Sequence, residues 1–217
     1  MATETNISSG YRHPVMASGP THVLIVRHGQ STWNADGRWQ GQADPPLSAL
    51  GEAQARAAAD ALPDVDLVVA SDLARARETA EIIVTARQLD GVRLDARLRE
   101  RDSGDWTGYT REEIELAWPG WLDAGRLPAN FEQSERVAAR VTEAVWAAHG
   151  AVPGGTILIV AHGGVVRSLE RSVGADGTVP KNLGGRWFDV DGDGIVAGDV
   201  VTLIDHSRVV VTAPESL

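Results

Sequence analysis

Residues 24–29 read LIVRHG and residues 158–163 read LIVAHG, and the fold turns on this repetition. Each is a short apolar run bounded by polar residues, the pattern of a buried strand. Each also delivers a histidine followed by a glycine at its exit. One such run says little, but two predict that a pair of strand ends contributes to one site.

Reading outward, SALGEAQARAAADAL (48–62) favours a helix through its alanine, glutamate and arginine content, with Ser48 as N-cap. DLVVAS (66–71) is a second strand, and DLARARETAEIIVTARQL (72–89) a second helix with Leu73, Ala76, Ala80 and Ile83 on one face. Strand, helix, strand, helix is the alternation of a parallel sheet covered by helices. Further on, 110–128 predicts a short helical insertion broken at Pro119, and 131–149 a longer amphipathic helix. GTILIVAHGG (155–164) is the next strand, VVRSLERSV (165–173) opens a helix after its glycines, and 186–205 reads as a closing β-hairpin. Residues 93–110 are polar and glycine-rich, which predicts a loop outside the core, of the kind that carries function.

The chain has 217 residues, enough for one domain over 21–217 with an insertion or lid at about 109–131. Residues 1–20 are small and polar, lack the apolar core of a secretory signal, and read as a flexible extension. Asn6-Ile7-Ser8 matches a glycosylation acceptor, but nothing else implies secretion. With no cysteine there is no disulfide framework or thiolate metal site, and cytoplasm is the expected location. No apolar run approaches the roughly 20 residues of a membrane span. A formal net charge of −10 opposes broad binding to nucleic acid or anionic lipid, while leaving room for a local cationic pocket. The expected partner is a small phosphate ester, and a homodimer is the assembly left open. DVDGDG (189–194) starts like a calcium loop but lacks its glutamate and flanking helices, so it reads as a solvated turn and no metal is assigned.

If both histidines leave the carboxyl ends of adjacent parallel strands, they sit where open α/β sheets bind ligands. Phosphate is the natural guest there: Arg27 offers a planar fork to its oxygens, and Gly29 and Gly163 let backbone approach closely. His13, His22, His149 and His206 lack this setting and are read as ordinary core or surface residues.

VRHGQSTWN, QGQADPPLSALGEAQA, SDLARARETA, LRERDSGDWTG and VAHGGVVR, in that order from about Val23 to Arg167, resemble the blocks of the histidine phosphatase superfamily, the phosphoglycerate mutase-like proteins. The resemblance implies a three-layer α/β/α sandwich with a mostly parallel sheet, a phosphohistidine intermediate and no cofactor. By position it makes His28 the nucleophile, Arg27 and Arg75 the phosphate-binding arginines, His162 the second histidine and Glu100 the acid/base carboxylate. Asn34, Gln40 and Gly41 fall where relatives contact phosphate or substrate. Arg167 matches an arginine expected to support rather than catalyse.

The chemistry stands without the family. Neutral imidazole is nucleophilic near pH 7 and can carry a labile phosphoryl group. Fixed cations can stabilise charge on the equatorial oxygens, with His162 adding hydrogen bonds, and positive charge if protonated. One carboxyl group can protonate the leaving alkoxide and later deprotonate water. Asp102 and Asp105, near Glu100, are read as solvated loop acids, and Arg77 and Glu78 as surface charges.

Phosphoglycerate mutases carry a lysine and an arginine pair in the insertion, whereas 108–140 here has no lysine and no arginine doublet. In and just before this segment stand Trp106, Tyr109, Trp118 and Trp121, which read either as a surface for an apolar or weakly charged leaving group or as helix core. GDWTG resembles the broad-specificity phosphatase branch, so phosphomonoester hydrolysis is expected. A cofactor-dependent mutase and a non-catalytic phosphate-binding module are the alternatives. FEQS (131–134) departs from the Gly-Glu-Ser of many phosphatases, and ADPPLS carries a second proline.

Overall fold

A computed structural model describes residues 19–205 and 209, so most of the N-terminal extension, His13 and His206 lie outside the described residues. The strands are β1 (Thr21–Arg27), β2 (Leu67–Ala70), β3 (Arg93–Leu94), β4 (Thr156–Ala161), β5 (Gly184–Asp191) and β6 (Gly194–Thr202). The α-helices are α1 (Thr32–Ala35), α2 (Ala49–Ala61), α3 (Ala74–Arg87), α4 (Arg111–Ala117), α5 (Ser134–Ala151) and α6 (Gly163–Ser172). The sheet order is β3-β2-β4-β1-β5-β6. The first four strands are mutually parallel, and β5 and β6 add antiparallel as the closing hairpin.

The two LIV runs are continuous because both sheet faces are covered. Val23, Ile25, Ile157 and Ile159 pack against α5 and α6, while Leu24, Val26, Leu158 and Val160 face α2 and α3. This is the expected three-layer sandwich. Ser48 caps α2, its Oγ accepting the Gly51 N–H at 3.1 Å. Leu73, placed in a helix by the pattern, is instead the N-cap of α3; it has no capping side chain, and Asp44 Oδ1 accepts the Ala74 N–H at 2.5 Å in its place. No helix among the described residues is long and apolar enough to cross a membrane.

The 93–110 stretch departs from expectation. It contains β3 and two 3₁₀ turns, and it buries Leu98 and Trp106 completely. Trp106 gathers Ile114 and Phe131, with Trp39, Trp118 and Trp121 packed around them, and the Trp39 and Trp106 rings meet edge-on at 5.1 Å. The insertion's tryptophans are therefore packing. A polar local composition hid this because the partners, Trp39 and residues 114–131, lie outside the stretch. In DVDGDG, Asp191 Oδ1 accepts the Asp193 N–H at 2.9 Å inside the β5–β6 turn.

A Cβ at Gly185 would lie 1.9 Å from the Ile25 carbonyl oxygen, whereas at Gly198 it would find Trp187 Cβ at 3.4 Å. Gly185→Ala should cost about 3 kcal/mol or more and lower Tm by about 6–12 °C, with Gly198→Ala changing it little. Equal melting temperatures would contradict the β1–β5 register.

Candidate active site

His28 and His162 are the first residues beyond β1 and β4. Those strands pair in parallel with Arg27 opposite Ala161. The His28 N–H donates to the Ala161 carbonyl at 3.0 Å, and the two rings stand 5.1 Å apart. Strand adjacency thus brings together two histidines 134 positions apart in the chain.

The His28 ring has one tautomer open to it. Nδ1 lies 2.5 Å from the Gly29 carbonyl oxygen, which can only accept, so Nδ1 carries the hydrogen. Nε2 accepts from Arg75 Nε at 3.2 Å, so it is the ring nitrogen without a hydrogen, and His28 lines the cavity. Burial, then the charges of Arg75 and Arg27, hold His28 well below the ordinary histidine range. Burial, Arg75 and His28 do the same to His162, so it is neutral rather than cationic. Both ring nitrogens of His162 are buried and lack a hydrogen-bond partner among the described residues.

Arg75 is fully buried at the start of α3, and its two terminal nitrogens donate to the carbonyls of Ala43 (2.8 Å) and Gly41 (3.0 Å). Burial lowers Arg27 and Arg75 to about 10, with Glu100 pulling both back up, so each stays charged at neutral pH. Gly41 has φ +48, and a Cβ there would meet the Ser103 N at 2.8 Å. Asn34 and Gln40 share an anchor: the Ser31 N–H donates to Asn34 Oδ1 at 3.3 Å, and Ser31 Oγ donates to Gln40 Oε1 at 2.7 Å. With both amide oxygens held, their NH₂ groups are left to donate.

Glu100 accepts the Arg101 N–H at 2.8 Å and the Gly164 N–H, at the start of α6, at 3.3 Å. A Cβ at Gly164 would strike Glu100 Oε1 at 2.4 Å, and one at Gly163 would meet Val179 at 2.7 Å. Arg140 of α5 holds the loop that presents Glu100. Its Nη1 donates to the Arg97 and Arg99 carbonyls at 2.6 Å each and its Nη2 to the Glu100 carbonyl at 3.1 Å, while Glu132 grips its other edge with two 3.0 Å bonds. Glu132, in the divergent FEQS, thereby serves the loop. Nothing in the sequence separates Arg140 from the exposed Arg136 one turn earlier.

Arg27, His28, Asn34, Gln40, Gly41, Arg75, Glu100 and Gly163 line one cavity of about 590 Å³, within the range of ligand pockets, and His162 lies buried beside His28. Asp102 and Asp105 do not line it: Asp102 Oδ1 accepts the Gly104 N–H at 2.9 Å, and Asp105 accepts from Asn130 at 2.9 Å. Glu78 is more than a surface charge, since it accepts the Leu47 N–H at 2.9 Å. His22 and His149 bond Asp189 (2.6 Å) and Thr21 (2.7 Å), away from the cavity. Sequence reading missed Asn182, whose Nδ2 donates to the His28 carbonyl at 2.9 Å, and Leu183, which takes φ +55 as its N–H reaches the Arg27 carbonyl at 2.9 Å. No motif signals either. Of the two readings of Trp106, Tyr109, Trp118 and Trp121, the leaving-group surface is the one the structure does not take: none of them lines the cavity, although Trp39 and Phe131 do.

The sequence model of the histidine phosphatase superfamily (branch 1) matches residues 23–179. The chain belongs to that superfamily. It is 40% identical over 167 residues to a glucosyl-3-phosphoglycerate phosphatase of Mycolicibacterium vanbaalenii, covering 70% of this chain and 73% of that one. It is 37% identical over 153 residues to a "Probable phosphoglycerate mutase GpmB" of Enterobacter sp., covering 65% and 69%. The mycobacterial glucosyl-3-phosphoglycerate phosphatase solved with VO3 superposes with a TM-score of 0.73 at 32% identity, covering 83% of this chain and 98% of that one. Like its phosphatase relatives, this histidine phosphatase is a phosphoric monoester hydrolase.

Two outcomes follow from the geometry. Arg140→Met should lower kcat on alkyl phosphates roughly 10- to 100-fold and on p-nitrophenyl phosphate much less, because Glu100 loses its mooring; equal losses would deny Arg140 a part in placing Glu100. Both histidines are buried neutral, so below their unfolded pKa of about 6.5 the unfolded chain binds the extra protons and stability falls with pH, by about 1.4 kcal/mol per unit for each. His28→Asn removes one of them. Its stability deficit against wild type in urea should shrink by roughly 1.5–2 kcal/mol between pH 6.5 and 5, and a constant deficit would contradict a neutral buried His28.

Proposed function

We propose that the enzyme passes the phosphoryl group of a small phosphorylated metabolite to Nε2 of His28 and then to water. The observation that carries this reading is the single tautomer of His28, with Nδ1–H on the Gly29 carbonyl and the lone pair on Nε2. In the first step Nε2 attacks phosphorus, the P–N bond forms and the bond to the ester oxygen breaks. The phosphorylated ring keeps its Nδ1 hydrogen and becomes cationic, which the Gly29 carbonyl stabilises and which keeps the P–N bond labile.

Arg27 and Arg75 hold the equatorial oxygens. The NH₂ groups of Asn34 and Gln40 and one N–H of His162 donate to them, which gives the buried and unpartnered His162 ring its acceptor. Glu100 protonates the departing ester oxygen. It then takes a proton from the water that attacks phosphorus, the P–N bond breaks, and inorganic phosphate leaves with neutral His28 restored.

The cavity's size and the relatives' named activities on phosphorylated small molecules support the substrate class. The mutase name of another relative is met by assaying 3-phosphoglycerate directly. With chelator present, the enzyme should release phosphate from p-nitrophenyl phosphate and from several metabolite esters. Isomerisation of 3-phosphoglycerate without phosphate release would replace this reading with a mutase. Glu100→Gln should slow alkyl esters about 10²–10³-fold and aryl esters under tenfold, since only poor leaving groups depend on the acid; equal losses would remove Glu100 from the role.

A further inference from the structure

The carbonyl that fixes the His28 tautomer belongs to a peptide that is held from behind. The Gly29 C=O and the Gln30 N–H are the two ends of one planar trans unit, so whatever holds the N–H also aims the carbonyl. The Gln30 N–H donates to Gln54 Oε1 at 2.8 Å, and the Gly29 carbonyl accepts from His28 Nδ1 at 2.5 Å. Gln54 and His28 thus stand at opposite ends of one hydrogen-bonded chain that runs through a single peptide. Gln54 itself is completely buried in α2 and does not line the cavity.

Helices α2 and α3 clamp the rest of this turn. The Gly29 N–H donates to Thr79 Oγ1 at 3.1 Å, and the Thr79 hydroxyl donates in turn to the Arg75 carbonyl at 2.7 Å. On the other side the Ser48 N–H donates to the Gln30 carbonyl at 2.9 Å. A Cβ at Gly29 would lie 2.5 Å from the Gly51 carbonyl oxygen, and one at Gly51 would lie 2.0 Å from the Gln30 carbonyl oxygen. Gly51 and Gln54 are three residues apart in α2, so the same helix face that admits the turn also bonds it.

The close packing sets where the turn sits, and the Gln54 bond sets how the Gly29–Gln30 plane is tilted within it. A peptide whose N–H is engaged is polarised and is a stronger acceptor at its oxygen. That gain is largest once the phosphoryl group is on Nε2, when the ring is cationic and its Nδ1–H bond is charge-assisted.

We infer that Gln54 is a positioning residue for the nucleophile: through the Gly29–Gln30 peptide it aims the His28 ring and stabilises its phosphorylated form. This rests on the phosphohistidine reading and adds to it a residue that never touches substrate. A glutamine that only satisfied a buried N–H would support stability and leave the ring as it was.

The test joins NMR of ¹⁵N-histidine-labelled enzyme to kinetics. The His28 Nδ1 proton, identified by its absence from His28→Asn, should resonate far downfield in the wild type and move upfield in Gln54→Met. In the same variant kcat on p-nitrophenyl phosphate should fall about tenfold, the worth of one such hydrogen bond, with the inhibition constant of inorganic phosphate little changed. Gln54→Asn, one methylene short of the Gln30 N–H, gives the same readout in a side chain that keeps its polarity. Gln54→Glu still offers an acceptor oxygen and should hold the resonance and most of the rate. An unmoved His28 resonance in Gln54→Met and Gln54→Asn would overturn the inference and leave Gln54 a structural residue, as would an unchanged kcat. Failure of the wild type to hydrolyse any ester would instead remove the phosphatase reading, which the resonance comparison does not depend on.

Discussion

The hydrogen bond from His28 Nδ1 to the Gly29 carbonyl, 2.5 Å long, is the constraint on which the rest of the site depends. A free imidazole interconverts its tautomers, and only one of them presents Nε2 as a nucleophile. Here a backbone acceptor fixed by the chain's own turn selects that form, while burial beside two guanidinium groups keeps the ring neutral. In the proposed mechanism, the same cations that suppress protonation of His28 also meet the phosphoryl oxygens. One arrangement would then supply both a neutral nucleophile and a cationic cradle.

Holding that ring requires the sheet. β1 and β4 are paired in parallel, so His28 and His162 emerge together, and Asn182 and Leu183 close over the end of β1 through its last carbonyls. Glu100 comes from an irregular loop with no ladder to steady it. Arg140 takes that part, satisfying the carbonyls of Arg97, Arg99 and Glu100 with one planar fork that is itself gripped by Glu132. A lysine could not span those acceptors, which is why a guanidinium stands there.

Much of this was legible in the sequence. Strands covered on both faces show as unbroken apolar runs, and the two LIV runs therefore announced the central strands and the histidines at their ends. The resemblance located Arg75 and Glu100, which the structure brings to the same cavity. Arg140, Asn182 and Ser31 were not legible, because each acts on backbone or amide groups brought close by folding and nothing in its local pattern marks it. Trp106 shows the opposite limit: a glycine-rich polar stretch reads as loop, yet its indole is drawn into a core built from residues 39, 114, 118 and 131.

The most direct test of this account is the position of the phosphoryl group in the trapped enzyme. Rapid mixing with a reactive ester, alkaline quench and identification of the phosphohistidine isomer by ³¹P NMR or peptide mass spectrometry should place phosphate on Nε2 of His28. Phosphate on Nδ1 of His28, on His162, or on no histidine during turnover would contradict the tautomer that the Gly29 carbonyl imposes and the mechanism built on it.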